Sequence, residues 1–302
     1  MSSLRDRVLG LLKSEAPVRQ AVEKITGNDP VSRYHAGGRL PWTEGYSKVR
    51  TQIIRDALAD ASMMERFRTG APLPAGYGPR MDERVVECPW TLSRLRPGKG
   101  RVLDAGSVLN RPLFLEQPQL RERPLFIYSL EINWVTLREN LSYLRGDFLD
   151  PVLRDGLFES IVCISTLEHV GMLPIPKLPY VPPPGPPPPT DRAAHRAALA
   201  EFHRLLVPGG QLMVTVPFGR AADLQWQQVF DHEGIRAMIA AFPGRCLTEA
   251  YYRYSVDGWQ VSSAEEAAGA EYYDAIVRMP DYDPDFAAAA RGVACLEFVR
   301  ER

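Results

Sequence analysis

The stretch RVLDAGSVLN, residues 101–110, decides how this chain is read. RVLDA has the short apolar pattern of a buried strand, and GSVLN the look of the turn that leaves it. Nucleotide-binding turns at such a place carry two or three glycines, because the ligand must approach the backbone closely. Here only Gly106 is present, with Val108 and Asn110 where further glycines are expected. The stretch is either a cofactor turn that has changed its path or a strand-turn that binds nothing.

Working outward, strand-like and helix-like segments alternate from residue 101 onward: RVLDAG, PLFIYSLEI, LFESIVCIS and QLMVTVPF, with DRAAHRAALAEFHRLLVPGG between the last two. Leu199, Phe202 and Leu206 share one helical face there, and Pro208-Gly209-Gly210 is expected to end the helix. Such alternation predicts a parallel α/β sheet. Residues 1–97 read as a helical and loop extension. Within it TQIIRDALADASMMERFR, residues 51–68, has helical spacing, and the Gly- and Pro-rich RTGAPLPAGYGP breaks it. Residues 98–302 read as the α/β domain, with a proline-rich insertion over 173–190. Seven of the eight residues from Pro182 to Pro189 are proline, which excludes helix and central strand and predicts an extended surface loop or a lid over the site.

Composition sets the outer limits. The chain has 302 residues, 45 % of them hydrophobic, with 36 Lys plus Arg against 37 Asp plus Glu and a formal net charge of −1. That balance leaves no electrostatic footprint for nucleic acid. No apolar run reaches the roughly 20 residues of a membrane span, and the N-terminus does not read as a secretory signal. The four cysteines, Cys88, Cys163, Cys246 and Cys295, form no CxxC pair. We therefore expect no metal site and no disulfide framework, and a cytoplasmic protein, with Cys163 a small core residue.

In an open parallel sheet the ligand lies beyond the carboxyl ends of the strands, so the residues after each strand carry the chemistry. Asp104 and Gly106 follow the first strand. Glu131 ends the second, placed to take the hydroxyls of a ribose. Asp147 and Phe148 follow the third, a carboxyl and a ring suited to an adenine. Ser165, Glu168 and His169 follow the fourth.

Taken in order, VLDAG, SLEIN, GDFLD, FESIVCISTLEHVG and EFHRLLVPGGQLMVTVPFG resemble the class I S-adenosylmethionine-dependent methyltransferases, in their small-molecule, type 11-like branch. The resemblance spans about residues 85–300. It implies a Rossmann-like, mostly parallel seven-stranded sheet whose last strand, GVACLEFVR, is antiparallel. It also implies S-adenosylmethionine as cofactor, with Asp104, Gly106 and Ser107 on its methionine part, Glu131 on its ribose, Asp147 and Phe148 about its adenine, and Ser165 closing the pocket. The departure is the glycine turn itself. A sulfonium nucleoside has no pyrophosphate demanding backbone contact, so the turn is compatible with it; a nicotinamide dehydrogenase, which needs G-x-G-x-x-G, is excluded.

The implied reaction is transfer of a methyl group to a small molecule or glycan precursor, expected at oxygen. Of five histidines, His169 and His232 follow strands and are the candidate bases, whereas His35, His195 and His203 read as surface residues. Tyr77, Arg84 and Trp90 are candidates for the acceptor pocket, and the aromatic stretch EAYYRYSVDGWQV for its substrate-facing surface. The alternative is a catalytically inactive binding or scaffold protein on the same fold.

Overall fold

A computed structural model describes residues 29–130, 135–174 and 190–302. Among the described residues four helices precede the sheet: α1 (Pro30–Ala36), α2 (Tyr46–Ala59), α3 (Ala61–Thr69) and α4 (Arg84–Arg94). The periodic stretch over 51–68 is two helices, not one. Asp60 breaks it, its side chain accepting from the N–H groups of Ser62 and Met63 and so capping α3. Helix α4 contains Pro89, which removes the N–H that would bond the carbonyl of Val85. The hydroxyl of Tyr77 donates to that carbonyl instead, at 2.6 Å.

Strands β1 (Val102–Ala105), β2 (Leu125–Ser129), β3 (Leu141–Arg145), β4 (Phe158–Ile164) and β5 (Leu206–Pro217) are parallel. The short helix α5 (Pro112–Leu115) follows β1, and α6 (Ala194–Leu205) precedes β5. A small pair, β6 (Ala222–Asp223) and β7 (Gln228–Val229), and helix α7 (His232–Ala241) lead to β8 (Arg245–Ser255) and β9 (Gly258–Ser262). Two single-turn helices, α8 (Ala264–Ala267) and α9 (Ala275–Arg278), precede β10 (Gly292–Val299).

The main sheet among the described residues has eight strands in the order β3-β2-β1-β4-β5-β10-β8-β9. Strand β10 is antiparallel to both β5 and β8. The expected Rossmann-like sheet with an antiparallel last strand is therefore present, and it carries one more strand than expected. That strand is β9, which pairs with β8 as a hairpin.

Alternate residues of each strand serve opposite faces. Val102, Val162, Met213, Val293 and Cys295 join one core with Ile54, Phe67 and Trp90 of the preceding helices. Leu103, Cys163, Val214 and Leu296 join a second core with Leu199 and Phe202 of α6 and Ile235 of α7. The N-terminal helices thus form one layer of a three-layer sandwich and share its core. Helix α6 stops earlier than the sequence suggests. Leu206 already pairs with Phe158, and the next pair is Ser160 with Gln211, so Pro208-Gly209-Gly210 form a bulge in β5.

Candidate functional site

Strand β1 pairs with β2 on one side and β4 on the other, so the strand order reverses between β1 and β4. The carboxyl ends of β1 and β4 meet there. Asp104 closes β1 and is fully buried. Its Oδ2 accepts from the N–H of Leu109 at 2.8 Å, while Oδ1 has no hydrogen-bond partner among the described residues. Burial raises this carboxyl to about 7, against the opposing pull of the turn's N–H groups.

The question posed by the missing glycines has a structural answer. Leu109 is fully buried in the core on the helical side, which contributes roughly 1.5–3 kcal/mol by burial. Asn110 is 1 % exposed; its Oδ1 accepts from the hydroxyl of Tyr143 on β3 at 2.7 Å, and its Nδ2 donates to Ser107 Oγ at 3.3 Å. The turn is pulled inward by these side chains instead of lying open beneath a ligand. Ser107 sits at φ 77°, a left-handed conformation uncommon for serine. Gly106, at φ 120°, is required by a neighbour: a Cβ there would lie 2.0 Å from Thr166 Oγ1. So Gly106 lets the β1 and β4 turns touch.

At the far side of the sheet, Glu131 lies outside the described residues. Asp147 is exposed after β3, with Oδ1 accepting from the N–H of Leu149 at 2.9 Å. Phe148 corrects the expectation made for it. Its ring is 6 % exposed and is set against Tyr128 and Phe202 in the second core, so only Asp147 of the pair faces outward. Most of the proline-rich insertion, residues 175–189, also lies outside the described residues.

The carboxyl ends of β4 and β5 are joined by a residue that the sequence reading passed over. Glu87 of α4 is fully buried, and its Oε1 accepts from Ser165 Oγ at 2.6 Å and from Thr215 Oγ1 at 2.8 Å. Its Oε2 pairs with Arg84 one turn earlier. The Ser165 N–H donates to the Thr215 carbonyl at 2.9 Å, and Ser165 is held at φ 37°. Holding a non-glycine residue in that sparsely populated region costs about 1–3 kcal/mol, which the surrounding hydrogen bonds offset.

Two further carboxyls adjoin this cluster. Glu83, 7 % exposed, is raised to about 8 by burial, with Asp82 and Glu87 adding to the shift; its Oε2 accepts from the N–H of Ala290 at 3.2 Å. Glu168, 1 % exposed, is raised well above the ordinary carboxyl range by burial, and its Oε2 has no partner among the described residues. His169 Nδ1 faces the carbonyl of Trp226 at 2.9 Å, so that nitrogen carries the proton and Nε2 the lone pair. Burial holds the imidazole down at about 4, although 27 % of the side chain reaches solvent. Its ring stacks on Trp226, centroids 5.5 Å apart, and Trp226 meets Tyr272 edge to face at 6.4 Å.

His232 is not brought into this cluster. It is exposed on the first turn of α7, where Asp231 spends its carboxylate capping the helix through the N–H of Gly234. His195 is buried rather than on the surface, with Nδ1 2.8 Å from the Arg192 carbonyl. Trp90 is a core residue, fully buried. So are Tyr252 and Trp259 of the aromatic stretch, which forms the β8–β9 hairpin and faces the core. Arg84 alone of the three acceptor-pocket candidates lies in the polar cluster.

A cavity of about 380 Å³ opens beside Trp226, lined also by Leu173, Pro174, Asp223, Gln225 and Val277. A larger one of about 880 Å³ lies between α1 and α2. The larger one is set apart from the carboxyl edge of the sheet, and we place the site at that edge, where the buried titratable groups converge.

No family model and no curated protein matches the chain. Solved structures similar to it include the 1,6-didemethyltoxoflavin-N1-methyltransferase of Burkholderia thailandensis with bound 1,6-didemethyltoxoflavin and S-adenosylhomocysteine, at 13 % identity over 93 % of this chain and 90 % of that one, TM-score 0.43. The N-methyltransferase NodS of Bradyrhizobium japonicum WM9 in complex with S-adenosylhomocysteine is similar at 12 % identity over 83 % and 97 %, TM-score 0.39. The [4+2]-cyclase SpnF is similar at 16 % identity over 81 % and 93 %, TM-score 0.44.

Proposed function

We propose that this protein is an S-adenosylmethionine-dependent methyltransferase acting on a small-molecule acceptor. One observation carries the reading. The sheet reverses strand order between β1 and β4, where open α/β sheets bind ligands, and that point holds the half-satisfied buried carboxyl of Asp104 and the strained Ser107 and Ser165. The donor set fits a cationic nucleoside. Asp104 Oδ1 lacks a partner that an ammonium group would supply, and Asp147 stands exposed at the end of β3. Glu131 would take the ribose hydroxyls. A turn closed by Leu109 and Asn110 has no open glycine floor for a pyrophosphate, and this cofactor has none.

When bound, S-adenosylmethionine supplies an electrophilic methyl group on a sulfonium. The chain's own residues hold the acceptor in line, an effect worth about 7–11 kcal/mol, and accept a proton, worth about 10²–10⁴-fold. The expected oxygen acceptor calls for a base, for which His169 and His232 are the sequence candidates. With His169 held at about 4 and His232 at the surface, the proton-accepting groups of the cluster are the carboxyls of Glu83, raised to about 8 by burial, and Glu168, raised by burial. Free cysteines, three of them buried, support a cytoplasmic setting. Among the described residues no helix is long and apolar enough to cross a membrane.

The contact between Gly106 and Thr166 favours a second reading, a closed turn in a binding protein without activity. Titration calorimetry with S-adenosylhomocysteine separates the two. Micromolar binding, lost in Glu131→Ala with folding intact, supports the enzyme. Absence of binding at millimolar ligand supports the scaffold.

A further inference from the structure

We propose that the acceptor is an amine, received as its ammonium form among the carboxyls of Glu83 and Glu168 and the rings of Trp226 and Tyr272, and methylated at nitrogen. This rests on the methyl-transfer reading above and concerns the acceptor side of the same site.

The charge pattern comes first. Among the buried groups of this cluster, Arg50 pairs with Asp82 and Arg84 with Glu87. Arg84 acts on Glu83 and Glu168 from a distance, but among the described residues neither forms an ion pair with a lysine or arginine. Carboxyls this deeply buried are unpaired only at a cost, unless they are neutral or a cation joins them. Glu168 Oε2 has no hydrogen-bond partner among the described residues, nor has Trp226 Nε1. These two unpartnered atoms belong to residues 1 % and 7 % exposed.

The second observation is the aromatic wall. His169, Trp226 and Tyr272 form a continuous set of ring contacts, and Tyr272 lies within electrostatic reach of both Glu83 and Glu168. Aromatic faces beside carboxyls attract ammonium groups. An anionic acceptor would meet two unpaired acids. A neutral hydroxyl acceptor would leave both acids as they are.

The groups that set the charge state of the pair come from several elements. Asp82 faces it from the segment before α4, Arg84 and Glu87 from α4, His169 from the turn after β4, and Cys163 from β4. Tyr272 faces it from the segment before α9, where Asp274 acts on that tyrosine. His169 is neutral at neutral pH and does not repel a cation.

The step balances as follows. Binding of the ammonium ionises Glu168, whose proton leaves to solvent. Glu168 then takes the proton of the ammonium, freeing the nitrogen lone pair. The N–CH₃ bond forms from that pair as the S–CH₃ bond breaks, and its electrons remain on sulfur as a neutral thioether. The product leaves as its methylated ammonium, and Glu168 keeps the proton it took, which is its resting state.

The test uses full-length protein and tetramethylammonium, with 3,3-dimethyl-1-butanol as an uncharged probe of similar bulk. Calorimetry at pH 7 in buffers of different ionisation heat reads both affinity and protons released. We expect tetramethylammonium to bind at least tenfold more tightly than the alcohol, releasing a substantial fraction of one proton, with the release falling as the pH is raised. Glu168→Gln is expected to weaken the cation at least tenfold while S-adenosylhomocysteine binding is kept. Glu83→Gln, read the same way, serves should the first variant fail to fold. Equal binding of the two probes, absence of cation binding, or binding with no proton release overturns the proposal. Loss of S-adenosylhomocysteine binding by the parent protein, with cation binding retained, would instead sink the methyl-transfer reading.

Discussion

The Oε1 atom of Glu87 lies 2.6 Å from the hydroxyl of Ser165, so a carboxylate on a helix that precedes the sheet holds the residue that ends its fourth strand. The same oxygen takes the hydroxyl of Thr215 on the next strand, and Arg84 neutralises the other oxygen. One buried ion pair thereby fixes the mouth of the site. Removing the charge from Glu87 leaves the Arg84 guanidinium without its partner, and breaking a buried pair in this way costs about 3–5 kcal/mol. Glu87→Gln should show that loss in urea unfolding, and a change below about 1 kcal/mol would refute the assignment.

Restoring a glycine to the turn is expected to harm it. Asn110→Gly removes one of the two acceptors beside the Tyr143 hydroxyl, leaving the Thr136 carbonyl at 2.6 Å, removes the tie to Ser107, and loosens a backbone that these bonds order. A loss of about 1–3 kcal/mol is expected, with weaker S-adenosylhomocysteine binding. Tighter binding would mean that the turn works by the open path of its glycine-rich counterparts.

Gly106→Ala should destabilise by at least about 1–3 kcal/mol, from the left-handed backbone and the approach of Thr166 Oγ1. In Gly106→Ala/Thr166→Ser the hydroxyl remains and the methyl is gone, whereas Thr166→Ala removes the Oγ1 itself. Greater recovery with alanine at 166, followed by thermal melting, would identify the hydroxyl as the obstacle.

Asp104 makes stability depend on pH. Its carboxyl is raised by burial from 3.8 to about 7 in the folded chain, so the folded state binds the extra proton between those values. Its contribution is therefore fully present below about pH 4 and is lost as pH rises to about 7, by roughly 4 kcal/mol at 1.36 kcal/mol per unit. Glu83 and Glu168 act in the same direction. Asp104→Asn, whose amide oxygen still accepts from Leu109, should flatten the fall in melting temperature between pH 5 and 8. An unchanged slope would count against a buried, raised Asp104.

The fold was legible because its strands are short apolar runs bounded by turns. VLDA, LFIYS and FESIVCI each became the strand read from them. Element ends were less legible where a side chain decided them, as at Asp60, or where strand pairing overrode helical periodicity, as at Leu206. Much of the site lay hidden because it is assembled across chain distance. Glu87 is 78 residues from Ser165, and nothing local announces the contact. One signal was present: a glutamate inside the apolar run VVECPW has no solvent-facing reason to be there. Phe148 and the tyrosines of the hairpin show the reverse error, since an aromatic ring near a strand end serves a core as readily as a ligand.

The sheet's two open borders, β3 and β9, are each five residues long, whereas β5 inside it runs to twelve. A border strand offers unpaired amides to any other chain, and a short one offers few. The β8–β9 hairpin thus does more than widen the sheet. It covers Tyr251–Ser255 of the eleven-residue β8 with a brief, quickly ending strand, and along that half leaves newly made copies of the protein little template on which to aggregate.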